Sequence, residues 1–267
     1  MHPSLLLSAL AALGVAPAAV HKASDPAPAP DSLRVPILVY HNIQPAAQAT
    51  RVHAADLSMP PEAFAAQMQY LRDHAIPVVS LAALVEALEG KGTLPPRAVV
   101  LTFDDGRVNQ YAHAFPVLRR LGFTATFFPF THAMDRNPRY FSWAQLREMM
   151  DAGMAVGSHT VLHLRVDRMP SRERMHQEVT GSREDLRRHL GDSATVFFSY
   201  PFGALAAAGD SAVRAAGYRA ARAYTGGPWN RPADRWRLRA VPMTASLARF
   251  IEVVDPGSAP RRPARRR

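Results

Sequence analysis

Val99-Val100-Leu101-Thr102-Phe103-Asp104-Asp105-Gly106 is an apolar run that stops on two carboxylates and a glycine. Its β-branched and aromatic residues predict a buried strand over Val99–Phe103. Similar short runs predict strands at Ile37–Tyr40, Ile76–Val79, Thr124–Phe128, Met154–Gly157, Thr195–Phe198, Tyr218–Ala221 and Leu238–Val241. Helical patterns lie between them. Phe64, Met68 and Leu71 fall at i, i+4 and i+7 after Ser58, a cap followed by prolines. Leu146, Met149 and Met150 precede Gly153, and Ser171–Leu190 is long and charged with Met175, Val179 and Leu186 as its inward stripe. Strands alternating with helices predict an α/β fold with parallel pairing and right-handed crossovers. Seven or eight such units predict a closed or nearly closed barrel. In such barrels the site gathers at the carboxyl ends of the strands. Asp104-Asp105, His159 and Tyr200-Pro201-Phe202-Gly203 each follow a strand directly, and His41 ends the first, so all four are expected at one mouth.

The chain has 267 residues, nearly half of them apolar, enough for one large core or two small ones. It has no cysteine, which excludes a disulfide framework, a thiol nucleophile and a lipidated N-terminal cysteine. No internal apolar run is long enough to span a membrane. The formal charge is +10, and five of the basic residues are Arg261, Arg262, Arg265, Arg266 and Arg267. Residues 255–267 therefore read as a basic, solvated tail, with contact to an anionic envelope surface as the alternative. No aromatic-interleaved basic motif points to nucleic acid. Leu5–Val15 followed by Ala16-Pro17-Ala18 reads as a signal peptide over residues 1–18, and residues 19–34 as a Pro/Ala-rich linker, so an exported protein is expected.

The second chemical motif is Ser158-His159-Thr160-Val161-Leu162-His163. Histidines at i and i+4 face the same way on a helical turn. Two imidazoles and one carboxylate make a three-ligand set with an open position, which suits one divalent ion, Zn2+ foremost and also Co2+, Ni2+ or Fe2+. Bound metal lowers the pKa of water from about 15.7 toward about 7, and a second carboxylate alongside can take the proton. The isolated histidines His53, His74, His113, His176 and His189 read as solvated or structural.

Taken in order, these motifs resemble the polysaccharide deacetylase family, also called carbohydrate esterase family 4 or the NodB-homology family. The resemblance runs from about Val35 to about Ser246, within a domain at 35–254. It includes the opening Val35-Pro36-Ile37-Leu38-Val39-Tyr40-His41-Asn42-Ile43 and Phe141-Ser142-Trp143-Ala144-Gln145-Leu146. It implies a distorted (β/α)7-type barrel, with Asp104 as base and Asp105, His159 and His163 as metal ligands. It also implies that the Phe202 N–H helps bind the oxyanion, and it brings Tyr200 and Pro201 to the substrate. Two features depart from the family. Ser199 stands where an arginine often steadies the catalytic aspartate, and no histidine follows His189 to serve as the usual general acid. His41 is the substitute candidate for the acid, and Arg239 for the cation. Trp229, in a Gly-rich loop, is a candidate to stack on a sugar face, with ordinary burial as the alternative. The implied activity is N-deacetylation of an N-acetylglucosamine polysaccharide, and the opening resembles the branch acting on the β-1,6-linked polymer. An O-deacetylase of acetylated xylan or peptidoglycan, and a non-catalytic glycan-binding module, are the competing readings.

Overall fold

The computed structural model describes residues 31–48, 57–224 and 226–258. The expected signal peptide, most of the linker, the arginines of the tail and His53 lie outside the described residues. Among the described residues no helix is long and apolar enough to cross a membrane.

Seven parallel strands carry the fold: β1 (Ile37–Tyr40), β2 (Val100–Asp105), β3 (Thr126–Pro129), β4 (Ala155–Val156), β5 (Phe197–Ser199), β6 (Ala220–Arg222) and β7 (Val241–Pro242). Five of them pair in the order β7-β1-β2-β3-β4, and β5 pairs with β6. Single parallel bridges, Ser158 to Phe198 and Arg222 to Leu238, close the two gaps. The result is a ring of seven staves, distorted where β4, β5, β6 and β7 shrink to two or three residues.

Among the described residues seven helices surround or close this ring: α1 (Pro61–Asp73), α2 (Leu81–Leu88), α3 (Phe115–Leu121), α4 (Trp143–Asp151), α5 (Arg172–Leu190), α6 (Ala207–Ala215) and α7 (Leu247–Val254). Local sequence sets their ends. Ser142 and Gln145 form a reciprocal capping box on α4. Ser80 and Ser171 cap α2 and α5, and Gly122 ends α3 in the left-handed conformation. Two expectations change. Ser58 pairs in a two-residue strand with Asn42, and α1 is instead entered through Pro60, because Pro61 presets the first helical φ. Ile76–Val79 contributes only a bridge from Val78 to Val99, since Pro77 has no N–H to extend a ladder.

Strand alternation splits the core in two. Leu38, Tyr40, Leu101, Phe103 and Phe127 face outward under α1, α3 and α4. Ile37, Val39, Val100, Phe128, Phe197, Ala220 and Leu238 face inward and are closed off by Leu81, Leu84 and Leu88 of α2. Period-two alternation therefore carries Asp104, Ser199 and Arg222 inward too, one or two steps beyond these apolar layers.

Candidate active site

The inward register makes Asp104 the floor of the mouth. It is buried, and its Oδ1 accepts from the Arg222 guanidinium and, at 3.3 Å, from Ser199 Oγ. Arg222 is itself 1% exposed. It also donates to Ser199 Oγ at 2.7 Å and to the Ala223 carbonyl, and lies over the Phe128 ring. Burial pushes the Asp104 carboxyl up, but Arg222, with His159 and His41 behind it, outweighs burial and holds the carboxyl below its ordinary value. Asp104 Oδ2 faces His41, whose Nε2 lies 4.0 Å away.

Asp105 turns the other way at a left-handed φ of 74°, a strained conformation for a non-glycine residue and of the kind that clusters at functional sites. Its Oδ1 lies 3.3 Å from His163 Nε2 and 3.7 Å from His159 Nε2. Arg107, stacked over Tyr140, approaches the other oxygen at 3.5 Å. Burial raises the Asp105 carboxyl, and the His163 hydrogen bond and the nearby imidazoles bring it far below its usual value. His159 donates its Nδ1–H to the Ser199 carbonyl at 2.7 Å, which leaves the Nε2 lone pair directed at Asp105. Burial, opposed by Asp104, lowers the His159 imidazole to about 4, so the ligand-competent neutral form prevails.

Asp105, His159 and His163 thus offer three ligand atoms within 4.8 Å of one another. Two imidazoles, a carboxylate and the outer hydrogen bond on His159 fit a divalent ion such as zinc. The spacing works by a route the sequence did not indicate. Residues 159–163 are not helical; Thr160 and His163 take left-handed φ values of 70° and 60° and fold a loop that brings the imidazoles to 4.8 Å between ring centres.

The other expected residues divide. Phe202, also left-handed at φ 59°, exposes 58% of its surface and lays its ring against His163 at 4.6 Å. Tyr200 and Pro201 are buried, Tyr200 within an apolar cluster, and the Tyr200 hydroxyl donates to Asp210 at 2.9 Å. Arg239 does not steady Asp104. Its stem packs on Gly226 and its guanidinium reaches the Gly226 carbonyl. Trp229 pairs with Arg34 and is half-buried in a cleft of about 550 Å³ that Tyr224 also lines. Tyr224 sets its ring edge-on to His41 at 5.5 Å, and burial, then Asp104, pushes its hydroxyl up to about 12.

Arg222 and Gln110 were missed. Gln110 sits in a π-turn and donates to the backbone carbonyls of Asp104 at 2.6 Å and His41 at 2.8 Å, tying the ends of β1 and β2 together. The sequence held one signal for Arg222: an arginine in the inward register directly after a strand of small apolar residues, Ala220-Ala221.

Residues 91–221 match the family model described as polysaccharide deacetylase. The chain carries a polysaccharide deacetylase domain. The match contains Asp104, Asp105, His159, His163 and the Tyr200–Gly203 turn, and it ends one residue before Arg222. Over 170 residues the chain is 27% identical to the YxkH protein of Bacillus subtilis (strain 168), covering 64% of this chain and 57% of that one. It is 31% identical over 136 residues to the poly-beta-1,6-N-acetyl-D-glucosamine N-deacetylase of Escherichia coli (strain K12), covering 45% of this chain and 20% of that protein. The deacetylase domain therefore spans little more than half of one curated relative and a fifth of the other. The solved structure of IcaB from Ammonifex degensii superposes with a TM-score of 0.72 at 28% identity, over 82% of this chain and 95% of that one.

Proposed function

We propose that this chain is a metal-dependent hydrolase that removes N-acetyl groups from a polysaccharide containing N-acetylglucosamine. The observation that carries the reading is Asp104: a buried, ionised carboxylate with Oδ1 engaged by Arg222 and Ser199 and Oδ2 free, beside a three-ligand set. A glycan-binding module needs no such base. The similarity to the N-deacetylase of Escherichia coli supports the substrate class.

A divalent ion on Asp105, His159 and His163 would acidify the attacking water and polarise the acyl oxygen. The chain supplies the remaining steps. Asp104 Oδ2 takes the proton of the attacking water while Arg222 fixes the carboxylate plane. The Phe202 N–H donates to the developing oxyanion; losing one such donor costs about 10²–10³-fold in kcat. His41, close to Oδ2, returns a proton to the departing amine. Trp229 offers an indole to a neighbouring sugar of the chain, in the cleft that Tyr224 also lines. Tyr200 and Pro201 serve the site by shaping the turn that carries Phe202, not by touching sugar. A polymer substrate fits a chain working outside the cytoplasm, with its basic tail free to meet an anionic envelope surface. Protein recovered from its host is then expected to begin near Ala19, which N-terminal sequencing checks.

Acetate release from N- and O-acetylated oligosaccharides tests the reaction. N-acetylglucosamine oligomers should release acetate, a strong chelator should abolish release and zinc should restore it. Asp104→Asn should keep zinc and lose turnover, whereas Asp105→Asn should weaken zinc binding itself. Release from O-acetyl substrates alone would move the activity to ester cleavage. Silence on every substrate with zinc bound would leave a binding module.

A further inference from the structure

The apolar stripe of α5 predicted from sequence is present, but the helix also turns a polar row inward. Glu178, Ser182 and Asp185 follow one another at i, i+4 and i+7, with Glu178 only 1% exposed. Each member grips a segment at the metal site. Ser182 Oγ lies 2.6 Å from Oγ of Ser158, the residue before His159. Asp185 Oδ2 accepts from Thr131 Oγ at 2.8 Å, and the N–H groups of Thr131 and His132 in turn donate to the carbonyls of Thr160 and Val161. Glu178 Oε2 accepts two consecutive backbone N–H groups, Val161 at 3.1 Å and Leu162 at 2.8 Å. Its Oε1 lies 2.8 Å from the Arg174 guanidinium.

These contacts complete the hydrogen-bond account of a loop with no helix or strand to satisfy it. Ser158 N–H donates to the Phe197 carbonyl, His159 N–H to the Pro129 carbonyl and Thr160 N–H to Ser158 Oγ. His163 N–H donates to Thr160 Oγ. Only Val161 and Leu162 depend on a charged acceptor. Left-handed Thr160 and His163 flank them, and successive amides in such a turn form a concavity that binds an anion. Here the anion is a side chain of the protein.

We propose that Glu178 is a positioning residue for the metal. Its carboxylate sets the turn that places His163 Nε2 beside Asp105 and His159, while touching neither the ion nor the substrate. The proposal rests on the metal reading of that site and extends it to a residue 15 positions beyond the last ligand, on a different element.

Zinc affinity of the full chain, measured without substrate by competition with a chromophoric chelator, is the test. Glu178→Met keeps the length of the side chain and removes the acceptor. Glu178→Asp keeps the charge and withdraws it by one methylene. Both are expected to weaken zinc about 10–100-fold, the usual effect of losing an outer partner of a ligand. Glu178→Gln keeps an oxygen for both N–H groups and should stay within about threefold of wild type, taking this acceptor role as the outer-partner effect. Should the Met variant fail to fold, the Asp and Gln variants still decide. Wild-type affinity in folded Glu178→Asp, or equal weakness of Gln and Asp, overturns the proposal. A wild-type chain that binds no zinc overturns the metal reading itself.

Discussion

Arg222 donates to Asp104 Oδ1, to Ser199 Oγ and to a backbone carbonyl, so the carboxylate cannot rotate and Oδ2 alone is left for chemistry. The same contact sets its acidity. With the guanidinium gone, burial acts on Asp104 with only His159 and His41 to oppose it, and the carboxyl rises. Arg222→Met is therefore expected to move the acid limb of kcat/KM upward by about one pH unit or more, the scale of an Asp–Arg pair, in a pH–rate profile. Stability changes with the opposite sign on the two sides of this substitution. In the wild type the depressed carboxyl stabilises the fold above its unfolded value, and that contribution is lost as pH falls through the folded value. In the variant a raised carboxyl costs stability as pH rises. Unchanged pH profiles would show that Arg222 only fills space. The proposed ligands and base were legible as a cluster because adjacent aspartates and paired histidines are rare and carry their own chemistry. Arg222 was not, because its partner is distant in sequence and a lone arginine after a strand reads as a surface charge.

At the scale of elements, the turn Tyr200–Gly203 carries Phe202, the proposed oxyanion donor, and its shape depends on Gly203. That residue has φ 63°, and a Cβ there would sit 2.2 Å from Cβ of Tyr224. Gly203→Ala is expected to cost about 1–3 kcal/mol through overpacking and strain, and to lower kcat more than it raises KM. Gly122→Ala provides the control: its φ is 67°, yet nothing lies within 4 Å of the added methyl, so it carries backbone strain without collision and should leave kcat alone. Urea melts and steady-state kinetics on both variants check this. The strands were predicted to within a few residues because each is an apolar run bounded by turn residues. The histidine loop was not, because four-residue spacing in sequence is satisfied equally by a helical turn and by two left-handed residues flanking a carboxylate-bound turn. Only the position of α5, invisible in a local pattern, selects the second.

For the whole molecule, the proposed ligands come from β2 and from the loop after β4, so an ion held there would link segments that are separate in the unfolded chain. An ion that binds only the folded state stabilises by about 4 kcal/mol at a thousandfold excess over Kd. At about 2–4 °C per kcal/mol for a domain near this size, chelation should lower Tm by roughly 8 °C or more, measurable by calorimetry with and without zinc. A Tm indifferent to chelator would count against a folded-state zinc site. A closed or nearly closed barrel followed from the number of alternating strands and helices, although two of its joints are single bridges that leave no periodic trace.

The Asp104–Arg222 pair spans 118 residues, from the second stave of the ring to the sixth. A growing chain folds from its N-terminal side as it emerges, and contacts this distant in sequence form late because a long loop must first close. Until the sixth stave docks, Asp104 lacks the Arg222 guanidinium, the largest influence that opposes burial and favours its ionised form. The proposed base is therefore completed only when that stave docks. A partly assembled barrel can already present all three proposed ligands and still lack the completed base.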